Sequence, residues 1–171
     1  KDSKRDLGIK CLIMVPTREL AQQIGEVFEL LATDTKVKPY AVFGGVEMDP
    51  QIQKLQAGID ILITTPGRLI DLIRKKFVSL DYIETLVLDE ADRMLELGFL
   101  ADVEAIKRKL THRHQTLFFS ATIDQQIKKL AYSQVRSTAI RIQISPDDPV
   151  SKNVTHAVMF IEMDDKRFFL D

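Results

Sequence analysis

A chain of 171 residues, 45% apolar and 29% charged, has the make-up of one ordinary globular domain, long enough to bury roughly 70% of its unfolded surface. A formal net charge of −1 excludes a nucleic-acid partner recruited by the bulk field, so any basic site must be local. The single cysteine, Cys11, excludes an intrachain disulfide framework, and no apolar run approaches the ~20 residues that span a bilayer.

In chain order, "KCLIMV" (10–15) is the first short β-rich apolar run, with Cys11 as a small core hydrophobe. Residues 17–32 follow with Leu20, Ile24, Val27, Phe28 and Leu31 at helical spacing and Thr17 placed to cap the start. Further strands are expected at "PYAVFG" (39–44), "DILITT" (60–65), "ETLVLD" (84–89), "QTLFFS" (115–120) and "AIRIQI" (139–144). Helices are expected at 49–57, 67–76, 98–110 and 124–135, with Asp124 as an N-cap. Alternation of this kind argues for βαβ units, and the nearly unbroken apolar character of the strands argues for a parallel sheet covered on both faces. The fold class is α/β. "SPDDPVSKN" (145–153) reads as a linker, and "VTHAVMFIEM" with "DDKRFFLD" as a further strand and a helix start.

The question is then what the acids of "LVLDEADRML" (86–95) are for. Ligands of open parallel sheets bind just outside the carboxyl ends of the strands, where Asp89 and Glu90 fall. One carboxylate there can hold Mg²⁺, usually through water, and its neighbour can orient or deprotonate an attacking water. An ordinary acidic helix N-terminus explains the same four residues. Bland readings exist elsewhere too. Pro16 and Pro66 suit helix starts, Gly44–Gly45 suits a plain turn, and Arg18 and Arg68 suit solvated helix faces. Met94, Leu95 and Leu97 suit packing, residues 74–76 suit a solvated helix end, and the pair His112 and His114 suits a polar loop rather than a zinc site.

Position breaks the tie. "PTREL" (16–20), "GG" (44–45), "TPGR" (65–68), "DEAD" (89–92) and "SAT" (120–122) follow five successive expected strands. A given tetrapeptide occurs by chance in about one chain of this size in several hundred at ordinary residue usage; several such motifs in order, each at a strand end, coincide by chance far more rarely. The ordered set closely resembles the first RecA-like domain of DEAD-box ATP-dependent RNA helicases, over essentially the whole chain.

The resemblance implies a role for each motif. Asp89 would hold the Mg²⁺ of ATP, and Glu90 would be the general base or position the water. Asp92 would couple to Ser120 and Thr122, linking nucleotide state to domain closure. Thr17, Arg18, Gly44, Gly45, Thr65, Gly67 and Arg68 would hold the sugar-phosphate backbone of one RNA strand. Helix-start amides bind phosphate and arginine pairs with it bidentately. Such contacts position a strand without reading its bases, so the expected partner is single-stranded RNA or an RNA duplex, bound without sequence specificity. ATP and Mg²⁺ are the expected cofactors. A monomer with possible protein cofactors, no membrane association, and an intracellular setting (cytoplasmic, or nuclear in a eukaryote) complete the expectation.

One departure qualifies it. The 171 residues contain no G-x-x-x-x-G-K-[ST], the loop that cradles triphosphates. The expected organisation is therefore a RecA-like domain at 1–144 without its N-terminal phosphate-loop unit, a linker at 145–153, and the truncated start of a second RecA-like domain at 154–171. The parent is expected to unwind RNA locally and the isolated chain to lack ATPase activity. A catalytically inactive RNA-binding or protein-docking module is the alternative, and a DNA-directed translocase a third reading.

Overall fold

The computed structural model describes residues 8–144. Residues up to Thr138 form one compact unit, and a second begins at Ala139. The expected linker at 145–153 and the strand and helix start beyond it lie outside the described residues.

The first unit is built on five strands of four residues: β1 (Cys11–Met14), β2 (Pro39–Val42), β3 (Ile61–Thr64), β4 (Thr85–Leu88) and β5 (Gln115–Phe118). They form one sheet in the order β2-β3-β1-β4-β5, every neighbouring pair parallel. Register brings all five carboxyl ends level, because Met14 stands opposite both Thr64 and Leu88, Val42 opposite Thr64, and Leu88 opposite Phe118. Parallel strands need crossovers, supplied by α1 (Arg18–Ala32), α2 (Asp49–Gln56), α3 (Pro66–Arg74), and α4 (Ala91–Glu96) with α5 (Leu100–Lys109), while α6 (Gln125–Gln134) follows β5. The expected helix at 98–110 is α5, and the short helix after the acids is separate from it. Gly98, at φ +80°, turns the chain between the two.

The two faces are covered unequally. Leu12 and Met14 of β1, with Leu62, Leu86 and Leu88, join the large core under α2, α3, α4, α5 and α6. Ile13 and Val15 point the other way, as strand alternation requires, and meet Ile63 beneath Ala21, Ile24 and Phe28 of α1. Gly25 lets α1 come down on β2, since a Cβ there would stand 2.8 Å from that of Ala41. Among the described residues α1 is alone on its face, and on the edge strand Leu117 remains 37% exposed and Phe119 just beyond it 52%. Cys11 packs at the border of this smaller cluster, and burial pushes its thiol pKa up.

Caps and turns fix the helices locally. Thr17 accepts from the Leu20 amide at 3.3 Å, and Asp124 from the Ile127 amide at 2.7 Å. Lys107 of α5 donates to the Ser133 and Gln134 carbonyls at 2.7 and 2.5 Å, closing the C-terminal end of α6 with a cation where the helix dipole favours one.

Two expectations are corrected. Leu97 does not pack; it is 48% exposed in the turn before α5, while Met94 is buried. Residues 139–144 form no strand, and Ile140, Ile142 and Ile144 are 88%, 79% and 94% exposed. Alternating isoleucines supply β propensity, but a strand exists only where a neighbour satisfies its backbone. Among the described residues none does so for this segment.

Candidate functional site

Five loops emerge from the level carboxyl ends of the strands, and each begins with one of the sequence motifs. Ladder-type hydrogen bonds run on past the strand ends and lock the loop starts together. Val15 donates to the Thr64 carbonyl at 3.0 Å, Asp89 to Met14 at 3.0 Å, and Phe119 to Leu88 at 2.8 Å. The Ala91 amide then reaches across to the Phe119 carbonyl at 3.0 Å, fastening the acidic motif to the loop of Ser120–Thr122.

The acids occupy a sharp turn. Glu90 has φ 48° and ψ 51°, a left-handed conformation that costs a non-glycine residue energy. That turn hands the chain from β4 to α4 within two residues and leaves Glu90 exposed beside half-buried Asp89. Asp89 Oδ1 accepts from the Glu90 amide at 2.9 Å. Its other oxygen and the Glu90 carboxylate have no protein partner among the described residues.

Asp92 is differently placed. Its Oδ2 accepts from the Thr122 amide at 2.9 Å, across 30 residues of sequence, and Ser120 Oγ donates to the Thr122 carbonyl at 2.8 Å. Desolvation raises the Asp92 pKa, but the amide and hydroxyl of Thr122 and the amides of Arg93 and Asp92 itself outweigh it, holding the carboxyl below its usual range. A lowered folded pKa means this tie contributes above the unfolded value of about 3.9 and is lost as pH falls through the folded one. At neutral pH it is intact. Asp92→Ala is expected to cost about 1 kcal/mol, the usual worth of such a bond, and Asp92→Asn less because an amide oxygen still accepts; thermal melting of the two variants checks this.

The other three loops gather at the β2–β3–β1 side. Thr17 and Arg18 follow β1, Gly44 and Gly45 follow β2, and Thr65, Gly67 and Arg68 follow β3. Arg18 is exposed, paired with Glu19 at 2.6 Å. Its guanidinium also lies against Gly45, where a Cβ would stand 3.1 Å from Nη1. Gly45 has φ +81°, a conformation glycine adopts freely. Beside Gly44 and Gly67 a Cβ would meet nothing within 4 Å, so both backbones are open to a ligand. Thr65 is the N-cap of α3 with no side-chain capping bond. Arg68 is not a solvated helix-face charge: it is 9% exposed and donates through Nη2 to the Val46 carbonyl at 3.1 Å, while Nη1 is buried without a partner.

One participant was missed in the sequence. Gln51, 6% exposed, donates to the Phe43 and Glu47 carbonyls at 3.3 and 3.1 Å. A signal existed: Gln51 lies four residues before Leu55, on the face α2 buries.

Residues 2–130 match the DEAD/DEAH box helicase family profile. The chain belongs to that family. An ATP-dependent RNA helicase RhlB from Shewanella sp. (strain W3-18-1) is 42% identical over 159 residues, 92% of this chain and 36% of that protein; its counterpart from strain MR-4 is 40% identical with the same coverage. The chain thus spans about a third of the length of the curated relatives it matches. Among solved structures, the yeast DEAD-box splicing factor Prp28 superposes with a TM-score of 0.70 at 37% identity, covering 75% of this chain and 31% of that one. A hypothetical ATP-dependent RNA helicase from Sulfolobus tokodaii gives 0.71 at 36% identity, covering 77% and 40%. The five-stranded parallel sheet is the RecA-like sheet of these DEAD-box neighbours.

Proposed function

We propose that this RecA-like domain belongs to an ATP-dependent RNA helicase, with its nucleotide chemistry on the β4–β5 side of the sheet end and RNA backbone binding on the β2–β3–β1 side. The observation that carries the reading is the Asp92–Thr122 hydrogen bond of 2.9 Å. It ties the acidic loop to the SAT loop at the same sheet end to which Arg18 and the two glycines are brought.

No group of three or more potential metal-ligating side chains occurs among the described residues. Mg²⁺ is commonly held by one or two carboxylates together with water and substrate phosphates. Asp89 would hold the ion, and Glu90, whose carboxylate has no protein partner among the described residues, would orient or take the proton of the attacking water. Bound Mg-ATP would supply the phosphoryl group that is lost on hydrolysis. Asp92 would report that loss to Ser120 and Thr122. The 171-residue chain alone, containing no G-x-x-x-x-G-K-[ST], is proposed not to turn over ATP.

On the other side, Arg18 supplies a charge, and the open backbones at Gly44 and Gly67 admit a phosphate closely. Nothing in this set addresses base edges, so binding should be general in sequence. Fluorescence anisotropy with labelled single-stranded RNA tests the reading. Arg18→Ala is expected to weaken binding equally across sequences and to reduce the salt slope by about one, with melting unchanged. Arg68→Ala is expected to weaken binding and also lower stability by about 1–3 kcal/mol, because it removes a buried side chain together with its hydrogen bond to the Val46 carbonyl. Sequence-selective losses, or equal affinity for the deoxy strand, would count against it, since the 2′-hydroxyl distinguishes RNA.

A further inference from the structure

The loop between β2 and α2 is held from beneath by two buried side chains of different helices. Gln51 of α2 grips both of its ends, the Phe43 and Glu47 carbonyls. Arg68 of α3 grips the Val46 carbonyl between them. The first helical residues of α2 have no side-chain cap at Met48, so no local capping bond fixes the loop, and the Gln51 amide takes over that task. In a trans peptide the carbonyl and the following N–H point in opposite directions. With the Phe43, Val46 and Glu47 carbonyls turned toward these side chains, the amides of Gly44, Glu47 and Met48 are turned away from them. The amides of Gly44, Gly45, Val46 and Glu47 have no protein acceptor among the described residues.

Resting on the RNA-binding reading above, we propose that Gln51 is a positioning residue for the backbone-binding loop. It holds the two carbonyls inward so that the Gly44 and Glu47 amides face an RNA phosphate as a preorganised concave set of donors. Gln51 does not touch RNA itself. Its charge-free grip makes its signature separable from that of Arg18. Losing it weakens binding without changing how many ionic contacts are made.

The test uses the full chain, labelled single-stranded RNA, and a matched series in which one linkage at a time is an uncharged methylphosphonate. Gln51→Met keeps the side-chain length and removes the donors. It is expected to weaken binding about five- to tenfold, the worth of one or two hydrogen bonds, at an unchanged salt slope. One methylphosphonate position that weakens wild type is expected to cost Gln51→Met nothing further. Gln134→Met controls for packing, because Gln134 is equally buried at 3% exposure but lies at the end of α6; it is expected to move melting and leave RNA affinity alone. Should Gln51→Met not fold, Gln51→Asn, one methylene short of the carbonyls, reads the same quantities. Wild-type affinity in Gln51→Met alongside a clear Arg18→Ala loss overturns the Gln51 proposal alone. So does additivity of Gln51→Met with every methylphosphonate. No binding by wild type overturns the RNA-binding reading, and this inference with it.

Discussion

Glu90→Gln is expected to lower RNA-stimulated ATP hydrolysis by about 10²–10⁴-fold, the usual contribution of a general base, in a form of the protein that turns over ATP. Nucleotide and RNA affinities are expected to stay near wild type, because Gln keeps the size and polarity of a side chain that has no protein partner among the described residues. Phosphate release, measured beside nucleotide binding, separates the outcomes. Equal hydrolysis removes Glu90 from the chemistry, whereas joint loss of binding and turnover assigns it to holding the nucleotide. Backbone strain gives a second, independent readout. Glu90 sits at φ 48°, where a glycine carries no Cβ penalty. Glu90→Gly should therefore leave melting unchanged or raise it slightly while abolishing turnover. A residue that costs stability where it stands, and is replaced at no loss to the fold, is held there for what its side chain does.

Leu86→Ala is the substitution with the largest expected effect on the fold. Leu86 is wholly buried in β4, and β4 is hydrogen-bonded to β1 on one side and β5 on the other. Truncation there removes apolar contact at the centre of the larger core and leaves a cavity that two flanking strands prevent from collapsing. The expected cost is about 2–5 kcal/mol, a fall of roughly 5–15 °C in melting temperature for a domain of this size. Thermal and urea denaturation of the chain check it. Leu117→Ala is the contrast: on the edge strand and 37% exposed, the same kind of truncation should cost far less. Comparable losses at both positions would mean that the edge is better covered than its exposure shows.

Much of this protein was legible one residue at a time. Apolar runs such as Leu86–Leu88 with Asp89 at their end read as buried parallel strands because strands covered on both faces need no polar alternation. The motifs at the strand ends were legible because ligand chemistry in such sheets collects there. Thr17 and Asp124 announced their helices because capping is satisfied within three residues.

What required the tertiary structure depends on partners distant in sequence. No local pattern says that Arg68 will turn inward to Val46, and the pairing of Asp92 with Thr122 across 30 residues was expected only from the resemblance of the motif set. An arginine on an amphipathic helix has the same sequence signature whether it faces water or a loop. The left-handed turn at Glu90 is likewise imposed by the strands on either side, since nothing intrinsic to glutamate favours it. Residues 139–144 show the converse: alternating isoleucines satisfy every local rule for a strand, yet pairing is decided by a neighbour. Local physics determined which elements this chain can form and where its chemistry collects. Only the packed fold decided which side chains at the sheet end are exposed and which, like Gln51 and Arg68, are buried and bonded to the β2–α2 loop, because burial and long-range hydrogen bonding are properties of the assembled sheet.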